Sequence, residues 1–254
     1  MSKKFKTGLV LSGGGTRGFA HLGIIAALYD HDIKPDVISG TSAGAIVGAF
    51  IAGGKKPEEI LQILKKGGFF RYTKLHLPVD GLLRLDGLKE VIDKEISAKN
   101  IEDLTIPLYV TVSNLNKGIV EYISKGPLSK TVLASSSIPI LFSPVSINDD
   151  LYVDGGLLDN VPIEPVKKTC EKIIASNISP INPKRNIKNL IQITARTFYM
   201  SVNVNKKEVT KHTQIYIEPE EIDEYDILSR THADELYELG YKTAEIALNK
   251  IKKA

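Results

Sequence analysis

Hydrophobic and polar positions in the first fifty residues switch between two periods. A short apolar run, "TGLVLS", predicts a buried strand, and the glycine-rich "GGGTRG" turns the chain. "FAHLGIIAALYDHD" then sets Leu22, Ile25, Ala26, Leu28 and Tyr29 near one helical face. "VISG" predicts a second short strand ending at Gly40-Thr41-Ser42. "SAGAIVGAFIAGG" predicts a helix of small and apolar residues throughout, as expected for a buried central helix. Strand, helix, strand, helix in this order is the pattern of a parallel α/β unit.

Further along, "PEEILQILKKG" reads as a short amphipathic helix with proline in its first turn and glycine past its end. "GGFFRYTKLHLPVDGLLRLDG" has no clear period and reads as an excursion or cap. After "LKEVIDKEI", strands at "IPLYVTVSN" and "GIVEYIS" follow. "SKTVLASSSIPILFSPV" reads as a helix broken near Pro139, then a loop. "LYVDGG", "KIIASNIS" and "QIYIEPE" are three more strands, and helices from about Lys188 to Asn205 and His232 to Lys252 complete the chain. No repeat, low-complexity tract or linker interrupts 1–254, so one α/β domain is expected.

Composition narrows the function classes. A chain of 254 residues, 43% hydrophobic and 25% charged, can bury a sizeable core. A net charge of +3, with basic and acidic residues interspersed, is too mild to imply nucleic acid. Cys170 is the only cysteine, so no internal disulfide can form, which fits a reducing compartment and a structural role for its side chain. The start, "MSKKFKTGLVLSGGG", reaches glycine too soon to read as a signal peptide. No apolar run approaches the roughly 18 residues of a membrane span. The expected location is cytoplasmic, with attachment at most to a membrane surface.

The chemistry concentrates in "GTSAG", Gly40 to Gly44, which satisfies G-x-S-x-G between a strand and a helix. A nucleophile elbow needs that context: a sharp turn holds the serine in a strained conformation, and the helix behind it directs N–H groups and a dipole toward it. The alternative is that Ser42 only caps the helix. "GGGTRG", Gly13 to Gly18, also fits G-x-G-x-x-G, but no acid ends the second strand to hold a ribose, and no G-K-[ST] follows to make a P-loop. Three glycines at a strand-to-helix turn are better used to expose backbone N–H groups to an oxyanion. Arg17 would add a cation for a substrate phosphate or an anchor for the loop. The alternative is a surface arginine placed against the helix dipole.

A serine nucleophile needs a base. Of His21, His31, His76, His212 and His232, the order serine, acid, histidine would permit His212 or His232, although neither sits at an obvious strand-to-loop junction. "LYVDGG" instead places Asp154 at the end of an apolar strand, where parallel sheets build their sites. Asp149, Asp150 and Asp159 are nearby competitors that read as turn or cap carboxylates.

In sum the chain resembles the patatin-like phospholipases of the compact bacterial kind, through "LSGGGTRGFAHLG", "GTSAG", "ASSSIPILFSPV" and "DGGLLDNVPIEP" in that order over most of residues 8–165. The resemblance implies a three-layer α/β/α fold with a mostly parallel sheet and a Ser42–Asp154 dyad. Gly13, Gly14, Gly15 and Arg17 would border the oxyanion, and no cofactor or metal is implied. The expected activity is hydrolysis of fatty-acyl esters such as lysophospholipids or phospholipids. A thioesterase or general carboxylesterase with the same residues, or a lipid-binding regulatory protein with little turnover, are the alternatives. Where the family commonly has "IPGxF" this chain has "SIPILF", so Ile140 and Leu141 are expected to narrow the substrate pocket. In "LKKGGFFRYTKLHLPVDGLL", residues 64–83, Phe69 and Phe70 among cations suit a bilayer interface, or else the pair is buried in the core.

Overall fold

The computed structural model describes residues 4–67, 74–75, 83–181, 183, 187, 190–201, 206–227, 229 and 231–252. The opening unit is as expected: β1 (Phe5–Leu11), α1 (Gly18–Asp30), β2 (Val37–Thr41) and α2 (Ala43–Ala52). α3 (Pro57–Gly67), the two-residue strands β3 (Lys74–Leu75) and β4 (Leu83–Arg84), and α4 (Asp86–Glu95) come next. β5 (Leu108–Asn114), β6 (Ile119–Ile123), α5 (Leu128–Ser135), β7 (Val145–Ile147) and β8 (Asp150–Asp154) form the middle of the chain. α6 (Glu164–Lys167), β9 (Cys170–Ser176), α7 (Leu190–Ser201), α8 (Lys206–His212), β10 (Ile215–Ile217) and α9 (Ala233–Lys252) end it.

Apart from β3 and β4, which pair antiparallel with each other, these strands build one mixed, mostly parallel sheet. β10, β9, β1, β2 and β5 run parallel in that spatial order, while β6 and β8 pair antiparallel with β5, and β7 pairs with β8. Alternate residues of the inner strands point to opposite faces, which explains their continuous apolar runs. Leu9, Leu11, Ile38 and Ile174 face the larger core under α1, α2 and α9. Val10, Val37, Ile173 and Ala175 face a smaller one with Val166 and Val209, from α6 and α8. Helices therefore cover both faces of the sheet.

Every residue of α2 is buried, which is why its sequence has no polar face. α1 and α9 pack backbone to backbone: a Cβ on Gly23 would lie 1.9 Å from the Tyr237 carbonyl oxygen, and one on Gly240 would lie 2.1 Å from that of Ala20. Two differences from the sequence reading have local causes. α5 stops at Ser135 rather than near Pro139, so the chain has left the helix before Ile138, the residue that the proline restricts. The hydroxyls of Ser136 and Ser137 then donate to the carbonyls of Val132 and Leu133 and close its last turn. β7 lies in the expected loop, being too short to show a period. α7 falls in the helix expected from about Lys188 to Asn205, and α8 follows that span where no helix was expected.

Candidate active site

The site forms where two strands run into each other. β2 pairs with β5 at 108–111 and β8 pairs with it at 112–114, while β6 occupies the opposite edge over 110–114. β2 and β8 thus share one edge of β5 and run in opposite senses. Their carboxyl ends meet: Thr41 is opposite Thr111, and Asp154 is opposite Val112.

Ser42 follows Thr41 immediately, with φ 51° and ψ −117°. A left-handed φ at a serine, held between a strand and a helix, is the strained geometry an elbow requires. The motif glycines make it sterically possible, since a Cβ on Gly44 would lie 2.2 Å from the Leu11 carbonyl oxygen and one on Gly40 2.5 Å from that of Gly44. No side-chain hydrogen bond caps α2, so the capping alternative is not what occupies Ser42. Its amide donates to the Ser135 hydroxyl at 2.9 Å, and that hydroxyl donates to the Thr111 carbonyl at 2.7 Å. The Thr41 hydroxyl donates to the Asp159 carbonyl at 3.0 Å, securing the other side of the turn.

Asp154 is 1% exposed. Burial penalises its charged form and raises its pKa to about 7, while the Ser42 hydroxyl and the Gly156 amide act in the opposite direction. The Gly156 amide donates to Asp154 Oδ1 at 2.8 Å. Oδ2 is buried with no hydrogen-bond partner among the described residues. A carboxyl that titrates near neutrality and keeps one oxygen uncommitted is suited to accept and return a proton.

The glycine loop lies against this pair. A Cβ on Gly13 would be 3.2 Å from the Ser42 Cβ. The Gly13 amide donates to the Asn160 carbonyl at 3.2 Å, and the Gly13 carbonyl accepts from the hydroxyls of Ser12 at 3.0 Å and Ser179 at 2.6 Å. Gly15 has φ +59°, which lets the chain turn beneath the Ile227 carbonyl. Among the described residues, the amides of Gly14 and Gly15 donate to no protein acceptor. Two N–H groups of the loop whose Gly13 lies against Ser42 are therefore uncommitted. A small apolar cleft lined by Phe19, Ile46, Val47 and Leu64 opens beside Gly15 and Ala43.

Similarity to known proteins agrees with this arrangement. The family model described as patatin-like phospholipase matches residues 9–167. The chain belongs to the patatin-like phospholipase family. It is 30% identical over 275 residues to the Saccharomyces cerevisiae protein named lysophospholipase NTE1, covering 95% of this chain and 16% of that protein. The Kluyveromyces lactis protein of the same name is 31% identical over 268 residues, covering 92% and 18%. The chain thus spans about a fifth or less of the length of these curated relatives. Among solved structures, VipD from Legionella pneumophila superposes with a TM-score of 0.54 at 16% identity, over 98% of this chain and 67% of that one. ExoU, in its complex with SpcU from Pseudomonas aeruginosa, gives 0.54 at 17%, over 100% and 53%. These two share the α/β fold.

Within this patatin-like domain the remaining candidates fall in distinct places. Arg17 is 8% exposed, and its guanidinium donates to the carbonyls of Tyr225 and Asp223 at 2.9–3.1 Å, so it ties the glycine loop to the segment before α9. His212 bonds to Glu208 on its own helix and His232 to Glu235 in the first turn of the helix it precedes, each at 3.0 Å. His31 bonds to Glu245 at 2.6 Å. His21 is fully buried: Nε2 donates to the Ser12 carbonyl at 2.9 Å, so Nδ1 accepts from the Ser176 hydroxyl at 2.8 Å. Burial lowers its pKa to about 4, leaving it a neutral prop under the glycine loop. His76, Phe69 and Phe70 lie outside the described residues.

Asp150, at the far end of β8, is paired with Lys117 at 2.5 Å. Asp159 accepts from the Tyr122 hydroxyl at 2.7 Å, and its own backbone braces Thr41. Leu141 is buried in the core, whereas Ile140 points outward at 67% exposure and does not wall the cleft. Ser135 and Asn160 were not singled out from the sequence. Both lie inside the quoted segments "ASSSIPILFSPV" and "DGGLLDNVPIEP", and only their tertiary hydrogen bonds distinguish them. Cys170 begins β9, buried against Gly8. Among the described residues no cluster of three or more His, Cys, Asp or Glu could hold a metal ion. No described helix is long and apolar enough to cross a membrane.

Proposed function

We propose that this chain is a serine hydrolase of fatty-acyl esters, with lysophospholipids as the leading substrate class. The observation that carries the reading is the meeting of β2 and β8, which brings a strained serine and a buried, near-neutral carboxyl together beside two uncommitted amides. Its kinship with proteins named lysophospholipase supports the choice of substrate.

In this reading Ser42 Oγ attacks the acyl carbonyl and its proton passes to Asp154. The carbonyl oxygen takes up negative charge, which the Gly14 and Gly15 amides stabilise. Collapse of the intermediate breaks the ester C–O bond. The departing alcohol takes the proton from Asp154, and the acyl group remains on Ser42. Water then attacks the acyl-enzyme, Asp154 accepts its proton and returns it to Ser42 Oγ, and the fatty acid leaves. The neighbouring cleft, with Phe19, Ile46, Val47 and Leu64, supplies apolar contact for the start of the acyl chain. Arg17 acts through the loop it anchors.

The test is labelling with a fluorophosphonate and turnover of lysophosphatidylcholine by purified wild type, Ser42→Ala, Asp154→Asn, His212→Ala and His232→Ala. Loss of labelling in Ser42→Ala, and loss of turnover in it and in Asp154→Asn alone, is expected. A histidine variant as inactive as Ser42→Ala would replace the dyad with a triad. Comparing kcat/KM for thioester, short ester and lysophospholipid ranks the substrate classes.

A further inference from the structure

Ile140 is the most exposed large hydrophobic residue among those described, at 67%, and it also has φ +71°. The other described non-glycine residues with positive φ are Asp32, Asn148 and the nucleophile Ser42. Asp and Asn tolerate that region, and strain at Ser42 belongs to the elbow. A β-branched side chain there is strained without such a reason, and the fold shows what imposes it. Pro139 precedes it, Ile138, Leu141 and Phe142 are buried on either side, and the Phe142 amide donates to the Ile138 carbonyl at 2.9 Å. The turn thus has the conformation glycine fits best, and its one outward position carries an isoleucine that the core does not use.

Its place gives that side chain a purpose. Ser137, three residues earlier, accepts a hydrogen bond from the Asp154 amide at 2.9 Å, and Ser135 holds the Ser42 amide. Ile140 therefore follows within five residues the two serines that hold the backbone of Ser42 and Asp154. From Thr131 to Asn148 the chain has no Asp, Glu, Lys or Arg, so nothing charged along it opposes entry into an apolar phase.

We propose that Ile140 is an interfacial anchor, whose side chain enters the acyl layer of a lipid surface and seats the mouth of the site on it. This rests on the reading of the chain as a lipid acyl hydrolase. The partner is a zwitterionic or neutral lipid surface, since the uncharged stretch offers no attraction specific to anionic headgroups.

The experiment compares wild type, Ile140→Gly, Ile140→Asn and Ile140→Leu in the full chain. The measurements are thermal midpoint, sedimentation with phosphatidylcholine vesicles at low and high salt, and hydrolysis of a soluble short-chain ester and of vesicle-borne lysophospholipid. Ile140→Gly should raise the thermal midpoint by relieving the strain. It should also lower the ratio of vesicle to soluble-ester hydrolysis by roughly tenfold or more, with weaker, salt-insensitive vesicle binding. Ile140→Asn should lower the ratio similarly, and Ile140→Leu should retain it.

An unchanged ratio in both polar and glycine variants would overturn the anchor. So would equal loss on a monomeric long-chain ester, which would make the residue an acyl-chain contact, or loss of a dimer in sedimentation, which would make the partner a second copy. Failure of the wild type to hydrolyse the soluble ester through Ser42 would instead sink the enzymatic reading, and vesicle sedimentation would still decide the anchor.

Discussion

Thr41 and Asp154 end two strands that approach from opposite directions and pair with consecutive residues of β5, Thr111 and Val112. Ser42, the proposed nucleophile, is the next residue after the first strand, and Asp154, the proposed base, is the last residue of the second. Backbone pairing with a third strand, rather than a side-chain contact, sets how closely they meet. A site built on strand ends is held more rigidly than one built on long loops.

The raised pKa of Asp154 should be visible in both activity and stability. Only the carboxylate can act as base, so kcat/KM for a soluble ester should rise with pH through about 7 and then level off. The stability effect has the opposite sign. An unfolded aspartate ionises near pH 4, whereas folded Asp154 keeps its proton to about 7. Between these values the native state binds more protons than the unfolded state, so this group's contribution to stability falls as pH rises. Asp154→Asn should therefore be inactive yet more stable than wild type at pH 8, on the order of a few kcal/mol, with the difference shrinking toward pH 4. Urea unfolding of both proteins across this range measures it.

Ser135 holds the Ser42 amide and the Thr111 carbonyl through one hydroxyl. Ser135→Ala leaves two buried backbone groups without that partner, which costs about 1–3 kcal/mol, and loosens the elbow. We expect kcat to fall about tenfold or more with KM nearly unchanged, because positioning rather than binding is lost. A change confined to KM would place Ser135 in substrate binding instead.

Arg17→Ala should act first on stability. It removes the donors to the Tyr225 and Asp223 carbonyls, and a loss of about 2 kcal/mol would lower Tm by roughly 4–8 °C in a chain of this size. Calorimetry together with kcat separates this from a direct role at the oxyanion, for which kcat would fall at unchanged Tm.

Gly14→Val probes the loop amides. A Cβ there would lie 2.7 Å from the Ile178 side chain, so a branched residue must shift the loop. Losing alignment of a donor should reduce kcat by about 10²–10³ while KM moves little. Gly14→Ala should lose less, because it adds a single methyl against the Ile178 side chain where valine adds a branched one.

The local geometry of the candidate site was legible because it depends on short-range conformation. A strand, a glycine-flanked serine and a small-residue helix need only fifteen residues to declare an elbow, and "LYVDGG" shows its acid at a strand end in six. The apolar runs of β1, β2, β5 and β9 likewise identified strands buried on both faces. The tail was less legible. α9 reads as an amphipathic helix, but its backbone contact with α1 through Gly23 and Gly240 requires two glycines 217 positions apart to face each other.

The sequence alone determined the candidate residues and their local setting: a serine between a strand and a helix, an acid at a strand end, and a glycine loop able to expose amides. Only the tertiary structure decided how they are used. It committed the Gly13 amide to Asn160 and left those of Gly14 and Gly15 uncommitted; it turned Arg17 into an anchor and His21 into a neutral prop; it buried Leu141 and turned Ile140 outward. The physical reason is that a motif specifies backbone conformation over a few bonds. Burial, hydrogen-bond partners and pKa depend on which distant strands share an edge, and here that depends on β2 and β8 meeting on β5.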